Sequence, residues 1–185
     1  MSKPIRLIGA PTDVGAGARG ASMGPEALRV AGLCEALRGL GLHVADAGNL
    51  QGPGNPWQPP VDGWRHLPEV VAWNRAVFGA VTDALSDSQL PIVLGGDHSL
   101  AIGSISAVAS YCRARGRRLR VLWLDAHAAG IPCTLPLGVM ALVLKSACAS
   151  NHSTRRRRPR ARQYDATALM DPMARLWSPP STMGN

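Results

Sequence analysis

Two short motifs in the sequence contain the residue types of a metal site. GGDHS at 95–99 directly follows an apolar run and contains His98. DAH at 125–127 directly follows a second apolar run and contains Asp125 and His127. A carboxylate oxygen and two imidazole nitrogens form a mixed ligand set that suits manganese, zinc or iron as divalent ions. We therefore predict a metal site built from these three side chains.

Apolar strands alternate with amphipathic helices around these motifs. Strands are predicted at 5–9, 42–48, 89–96 and 121–125, and a long surface loop at 48–66. This alternation is typical of an α/β protein with a parallel sheet covered by helices on both faces. Because the carboxyl ends of parallel strands meet at one edge of a sheet, GGDHS and DAH are predicted to share that edge.

Three amphipathic helices are predicted from apolar residues at three- and four-residue spacing. The first runs from Pro25 to Leu40, the second from Val70 to Leu85, and the third begins at Ser99 as its cap. Their predicted inner faces are Leu28, Ala31, Cys34, Leu37 and Leu40; Val70, Trp73, Val77, Val81 and Leu85; and Ile102, Ile105, Ala109 and Cys112.

Gly15, Gly17 and Gly20 have the spacing of a dinucleotide-binding motif. In a Rossmann unit the motif directly follows the strand and opens the helix. Here the glycines start well after Gly9, and the predicted helix begins only at Pro25. The pattern favours a flexible loop at the border of a site, and a nucleotide-binding module remains an alternative.

Length and composition indicate one ordinary domain. The chain has 185 residues, 46% of them hydrophobic, and no apolar stretch approaches the roughly 20 residues of a membrane span. The first residues lack the apolar segment of a signal peptide, so a cytoplasmic protein is expected. The cysteines, which lack zinc-like spacing, are expected to be reduced: Cys34, Cys112, Cys133 and Cys148.

The positive charge is concentrated at the carboxyl end. The formal net charge is +8, of which residues 1–128 contribute +2 and residues 129–185 contribute +6. The run Arg155–Arg158, followed by Arg160 and Arg162, could contact phosphate groups. Blocks of like charge are usually only solvated, so nucleic-acid binding is not expected.

Three segments resemble arginase of the ureohydrolase superfamily. They are IGAPTDVGAGARGASMGPEALR at 8–29, LGGDHSLAIGSI at 94–105 and WLDAHA at 123–128. The resemblance extends over residues 1–128, and the amino-terminal loop favours arginase over agmatinase. It implies a three-layer α/β/α sandwich and the manganese-dependent hydrolysis of L-arginine to L-ornithine and urea, with two manganese ions. It leaves the oligomeric state open.

The resemblance also assigns roles to individual residues. It implies that His98 is a ligand of one ion, that His127 is a ligand of the other, and that Asp125 bridges them. Asp97 has no ligand role in the family pattern, and we expect it to make hydrogen bonds that support the loop. No catalytic or substrate-binding residue is assigned.

The sequence departs from the family pattern after Ala128. The family motif DAHxD would place an aspartate at Ala129, and residues 130–185 contain no D-x-D pair, since Asp165 and Asp171 are their only acids. We expect residues 1–128 to be the amino-terminal part of an arginase-like domain, truncated after about four strands, and 129–185 to be an unrelated basic tail without regular structure. A shift of reading frame near codon 129 is our hypothesis for this break.

This departure bears on activity. An arginase that lacks the second aspartate of DAHxD and the D-x-D pair is expected to bind at most one manganese ion, weakly, and to be inactive. The alternative is a catalytically dead metal-binding or interaction fragment.

Overall fold

The computed structural model describes residues 2–122, which form a parallel sheet between two layers of helices. The elements in chain order are β1 (Ile5–Gly9), α1 (Gly24–Val30), α2 (Leu33–Gly39), β2 (Val44–Asn49), α3 (Leu67–Ser86), β3 (Leu90–Leu94) and α4 (Ala101–Arg113). The strand order is β2-β1-β3, and β1 is parallel to both neighbours. The predicted α/β class with a parallel sheet is confirmed.

The central strand β1 separates two apolar clusters. Successive side chains of a strand point to opposite faces. Ile5 and Leu7 pack with residues of α1 and α2 on one face, whereas Ile8 packs with residues of α3 and α4 on the other. This arrangement gives the three layers that the resemblance implied.

A buried polar contact joins α3 to α4. The Asn74 side chain accepts a hydrogen bond from the backbone N–H of Gly103 at 2.6 Å and donates one to the carbonyl of Val70 at 2.9 Å. A side chain at position 103 would overlap the backbone of Asn74. The glycine therefore lets the two helices approach closely.

The first predicted helix is wrong as a single element. The structure has two helices, α1 and α2, because Gly32 adopts a left-handed backbone with φ 82°. This conformation favours glycine and interrupts the helix. Leu40, predicted on the inner face, is 74% exposed.

The inner face and the cap of α4 also differ from the prediction. Ala109 and Cys112 are buried as expected, but Ile102 is exposed, and Gly103 and Ser104 take the buried positions instead. Gly103 faces Asn74 of α3, and Ser104 donates its hydroxyl to the carbonyls of Leu100 and Ala101. Ser99 does not cap α4, because it lies within a 3₁₀ turn, His98–Leu100, and the residue before α4 is Leu100, which makes no side-chain cap. The Asp97 carboxylate caps that turn by accepting the Ser99 N–H.

The other predicted elements agree with the structure apart from one or two residues at most strand ends. The second helix is three residues longer at its start, and 50–66 forms no helix or extended strand. Val121 and Leu122 are not in a strand, and the rest of the predicted fourth strand lies outside the described residues, as do residues 129–185. Cys34 and Cys112 are free thiols, and Cys133 and Cys148 lie outside. None of the helices within 2–122 is long and apolar enough to span a membrane.

The loops that follow β1 and β3 lie directly against each other. The N–H of Ala10 donates to the carbonyl of Leu94 at 2.8 Å, and the N–H of Asp97 donates to the carbonyl of Thr12 at 3.1 Å. Between these bonds, Gly96 is so close to Thr12 that a side-chain atom at position 96 would overlap the Thr12 backbone. Backbone therefore packs on backbone at this point.

A charged cluster ties α1 to β2. Arg29 donates two hydrogen bonds to the Asp46 carboxylate, at 2.7 and 2.9 Å. These bonds lower the pKa of Asp46, and the Gly48 N–H adds to the effect, while burial acts in the opposite direction. The paired side chains are 17% and 24% exposed, so solvent screens the pair only in part.

Replacing Gly96 should destabilise the fold. The Gly96→Ala variant is expected to lose about 1–3 kcal/mol of unfolding free energy, because the loop must move away from Thr12. Urea denaturation followed by circular dichroism measures this loss. Gly17→Ala is the matched control, since a side-chain atom there meets nothing within 4 Å. Equal stability of the two variants would contradict the close packing at Gly96.

The Arg29–Asp46 pair should make stability depend on acid pH. A carboxyl whose pKa is lowered by folding stabilises the protein above its unfolded pKa of about 4. This stabilisation is lost as the pH falls through the lower, folded pKa. The Arg29→Met variant is expected to lose about 1 kcal/mol at pH 7 and to show a weaker decline below pH 4. Urea denaturation between about pH 2.5 and 7, a range that includes the titration of Asp, measures both effects.

The control for this experiment is Arg6→Met. Arg6 pairs with Asp87 at 3.3 Å, and both side chains are more exposed than those of the Arg29 pair. It is expected to change stability by less than about 0.5 kcal/mol. If Arg29→Met leaves the decline below pH 4 unchanged, Asp46 is not its source.

Candidate metal centre

The predicted ligand His98 lies in a 3₁₀ turn, His98–Leu100, between β3 and α4. Asp97 precedes this turn, and its carboxylate accepts the Ser99 N–H at 2.9 Å and the Gly15 N–H at 2.8 Å. One carboxylate therefore joins the turn to the loop that follows β1. The expectation that Asp97 supports this loop by hydrogen bonds is confirmed.

The His98 side chain has a buried nitrogen that is suited to a metal ion. Its Nε2 atom is shielded from solvent and has no hydrogen-bond partner within residues 2–122. Leaving a buried polar atom without a partner costs about 1–3 kcal/mol. A neutral imidazole nitrogen is a common ligand of divalent metals, and coordination would satisfy it. His98 therefore fits the role of a metal ligand.

The other two predicted ligands lie outside the described residues. Asp125 and His127 both follow Leu122, the last residue that the structure describes. Within 2–122 no group of three or more His, Cys, Asp or Glu side chains could hold a metal ion. Of the three predicted ligands, His98 is thus the one that lies in the described part of the chain.

The loop after β1 is fixed by polar contacts around Asp13. The Asn55 side-chain amide donates to the Asp13 carbonyl at 2.7 Å and to its carboxylate at 3.1 Å. Ser22 donates its hydroxyl to the other carboxylate oxygen at 3.3 Å. Asp13 is therefore engaged within the chain and is not a free ligand.

A buried histidine, His66, holds the same loop from the other side. Its Nδ1 atom lies 2.8 Å from the Val14 carbonyl, so Nδ1 must be the donor. Its Nε2 atom lies 3.1 Å from the backbone nitrogen of Gln58. Neither His66 nor Asn55 was predicted from the sequence. The only signal was the length of the loop at 48–66, since long loops in compact domains are often functional.

The glycines after β1 do not open an α-helix, and Gly20 is followed by a 3₁₀ turn at Ala21–Met23. Helix α1 begins at Gly24, several residues after Gly20, as the spacing predicted. The Gly15 N–H is already used by the Asp97 carboxylate. This anionic partner comes from the chain itself, and the geometry gives the nucleotide-binding alternative no support.

Comparison with known proteins identifies the family. A sequence model of the Arginase family matches residues 3–131. The chain is 40% identical over 123 residues to the arginase of Brucella melitensis, covering 66% of this chain and 40% of that protein. It is 36% identical over 127 residues to the arginase of Brevibacillus brevis, covering 69% and 41%.

Solved structures of arginases share the fold. The native arginase of Bacillus caldovelox is 38% identical with a TM-score of 0.62, covering 69% of this chain and 42% of that one. The arginase of Entamoeba histolytica, solved in complex with L-ornithine, is 27% identical with a TM-score of 0.59, covering 68% and 42%.

The match is long in this chain but partial in the relatives. The match covers about two thirds of this chain, and the chain spans only about 40% of the length of the curated relatives. The matched range contains both GGDHS and DAH. On this match, the chain belongs to the arginase family.

Proposed function

We propose that this chain supplies one part of an arginase-type metal centre, in which His98, Asp125 and His127 bind manganese. The observation that carries the proposal is the buried Nε2 atom of His98, which has no partner within 2–122 and lies beyond the carboxyl end of β3. Ligands in open α/β sheets bind at this end of the strands. The DAH motif follows the next predicted strand, which supports its placement at the same edge.

The proposed reaction of the complete site is the hydrolysis of L-arginine to L-ornithine and urea. The names of the relatives, and the L-ornithine in the Entamoeba histolytica structure, support this substrate. When bound, a pair of divalent ions lowers the pKa of a water molecule and orients it towards the carbon that it attacks. In this chain, His98 would offer an imidazole nitrogen and Asp125 a carboxylate oxygen, while Asp97 holds the backbone on either side of His98.

We further propose that the 185-residue chain does not itself turn over arginine. Ala129 stands where the resemblance places an aspartate, and the acids that follow, Asp165 and Asp171, form no D-x-D pair. Three ligands shared between two ions leave the second ion with little coordination. Residues 129–185 are proposed to contribute no ligand, so the chain binds at most one manganese ion, weakly.

Urea release tests this proposal. Neither the chain nor its Ala129→Asp variant is expected to release urea from L-arginine above background at saturating manganese, because one restored ligand does not rebuild the second metal position. Agmatine, assayed in parallel, is expected to give the same result. The Bacillus caldovelox arginase serves as the active control. Urea release that His127→Ala abolishes would contradict the proposal.

Metal affinity tests the ligand assignment separately. Titration calorimetry with manganese is expected to show no more than one site, and His98→Ala should weaken it by at least about tenfold, since a ligand is lost. His43→Ala is the matched control, because His43 is an exposed histidine far from the turn in the chain. Two tight sites, or equal effects of the two variants, would show that the assignment is wrong.

A further inference from the structure

Asp97 takes part in four hydrogen bonds, one of which lies within the 3₁₀ turn, from the Leu100 N–H to the Asp97 carbonyl at 3.4 Å. Its carboxylate accepts from the N–H of Gly15 at 2.8 Å and from the N–H of Ser99 at 2.9 Å. Its own N–H donates to the carbonyl of Thr12 at 3.1 Å. Gly15 is 82 positions away in sequence, so Asp97 connects two distant parts of the chain.

These bonds fix the backbone on both sides of His98. The preceding residue is bound to the loop after β1, and the following residue is bound to the Asp97 carboxylate. The His98 Nε2 atom makes no hydrogen bond within 2–122 that could orient the ring. The backbone that Asp97 holds therefore determines where the His98 side chain leaves the turn.

Gly15 is fitted to this contact. A side-chain atom at position 15 would lie 2.9 Å from a carboxylate oxygen of Asp97 and 3.2 Å from the Ser99 side chain. These distances are shorter than ordinary van der Waals contacts, so any other residue would displace the carboxylate. The glycine permits the close approach that the hydrogen bond requires.

We propose that Asp97 is a positioning residue for His98 and that Gly15 is the partner through which the β1 loop takes part. Asp97 acts through main-chain N–H groups and does not contact the metal. The inference rests on the proposed function of His98 as a metal ligand, which it deepens by naming what orients that ligand.

The first test needs no metal. In the full chain, the His98 ring signals are assigned by nuclear magnetic resonance, and hydrogen exchange is measured at the Gly15 and Ser99 amides. Asp97→Asn keeps the size of the side chain but has a single carbonyl oxygen, so one of the two N–H groups loses its acceptor. At least one amide is expected to exchange about tenfold faster, and the His98 ring signals are expected to shift.

Two controls separate positioning from general destabilisation. Asp87→Asn is the same change at a carboxylate that is 61% exposed, and it should leave the His98 signals in place. Gly15→Ala disturbs the Asp97 carboxylate from the opposite side and should also shift these signals, whereas Gly17→Ala should not. Gly15→Ala also decides the question if Asp97→Asn fails to fold.

A second arm uses manganese alone. Asp97→Asn is expected to weaken manganese binding by about 10- to 100-fold, as the loss of an orienting group typically does. If the unmodified chain binds no manganese, the proposed function fails, but the metal-free spectra still decide the role of Asp97. Unchanged His98 signals in folded Asp97→Asn and Gly15→Ala would overturn the inference.

Discussion

The in-register pairing of β1 with β3 is the constraint on which the candidate metal centre depends. The partners run from Ile5 with Leu90 to Gly9 with Leu94 without a shift. Both strands therefore end at the same level, and the hydrogen bond from Ala10 to Leu94 extends the pairing by one step. The two loops leave the sheet side by side, which brings Asp97 within reach of the β1 loop. The pairing of β1 with β2, in contrast, has an irregularity between Leu7 and Gly9.

The segment at 50–66 forms a second layer of support around the β1 loop. Its first residue, Leu50, donates to the Gly9 carbonyl at 2.8 Å, and the Trp73 indole donates to the Pro53 carbonyl at 2.8 Å. Arg19 lies over the Trp57 ring at 4.7 Å. Together with the contacts of Asn55 and His66, these interactions hold a stretch without helices or extended strands against the sheet. The positions of Asp97 and His98 thus depend on residues that are far from them in sequence.

Local sequence patterns predicted the helices and strands well where burial of apolar side chains alone decides the structure. The strand at 5–9 is a short apolar run that ends in glycine, and α3 has a single continuous apolar face. The break at Gly32 was missed because the apolar spacing continues across it, while backbone conformation decides the outcome. The face of α4 was correct at Ala109 and Cys112 and wrong at Ile102. Hydrophobicity alone favoured Ile102, whereas the close approach to Asn74 requires the neighbouring Gly103.

In the candidate site, too, local residue types could be interpreted from the sequence, whereas contacts between distant segments could not. The residue types in GGDHS made His98 a candidate ligand, and the resemblance led to the expectation of a supporting role for Asp97. The identity of the supporting partner, Gly15, was not accessible from the sequence, because a glycine chosen for its lack of a side chain resembles one in any flexible loop. Likewise, nothing in the local sequence distinguishes Asn55 or His66 as anchors of that loop. Contacts between distant segments are set by the tertiary fold.

The hydrogen bonds that hold the His98 turn have a consequence for the order of events during synthesis. The hydrogen-bond partners of Asp97 are Thr12, Gly15, Ser99 and Leu100, and all of them precede Asp125 and His127 in the chain. Proteins are made from the amino terminus, so earlier residues leave the ribosome first. All the groups that hold the His98 turn therefore leave the ribosome before the proposed ligands Asp125 and His127.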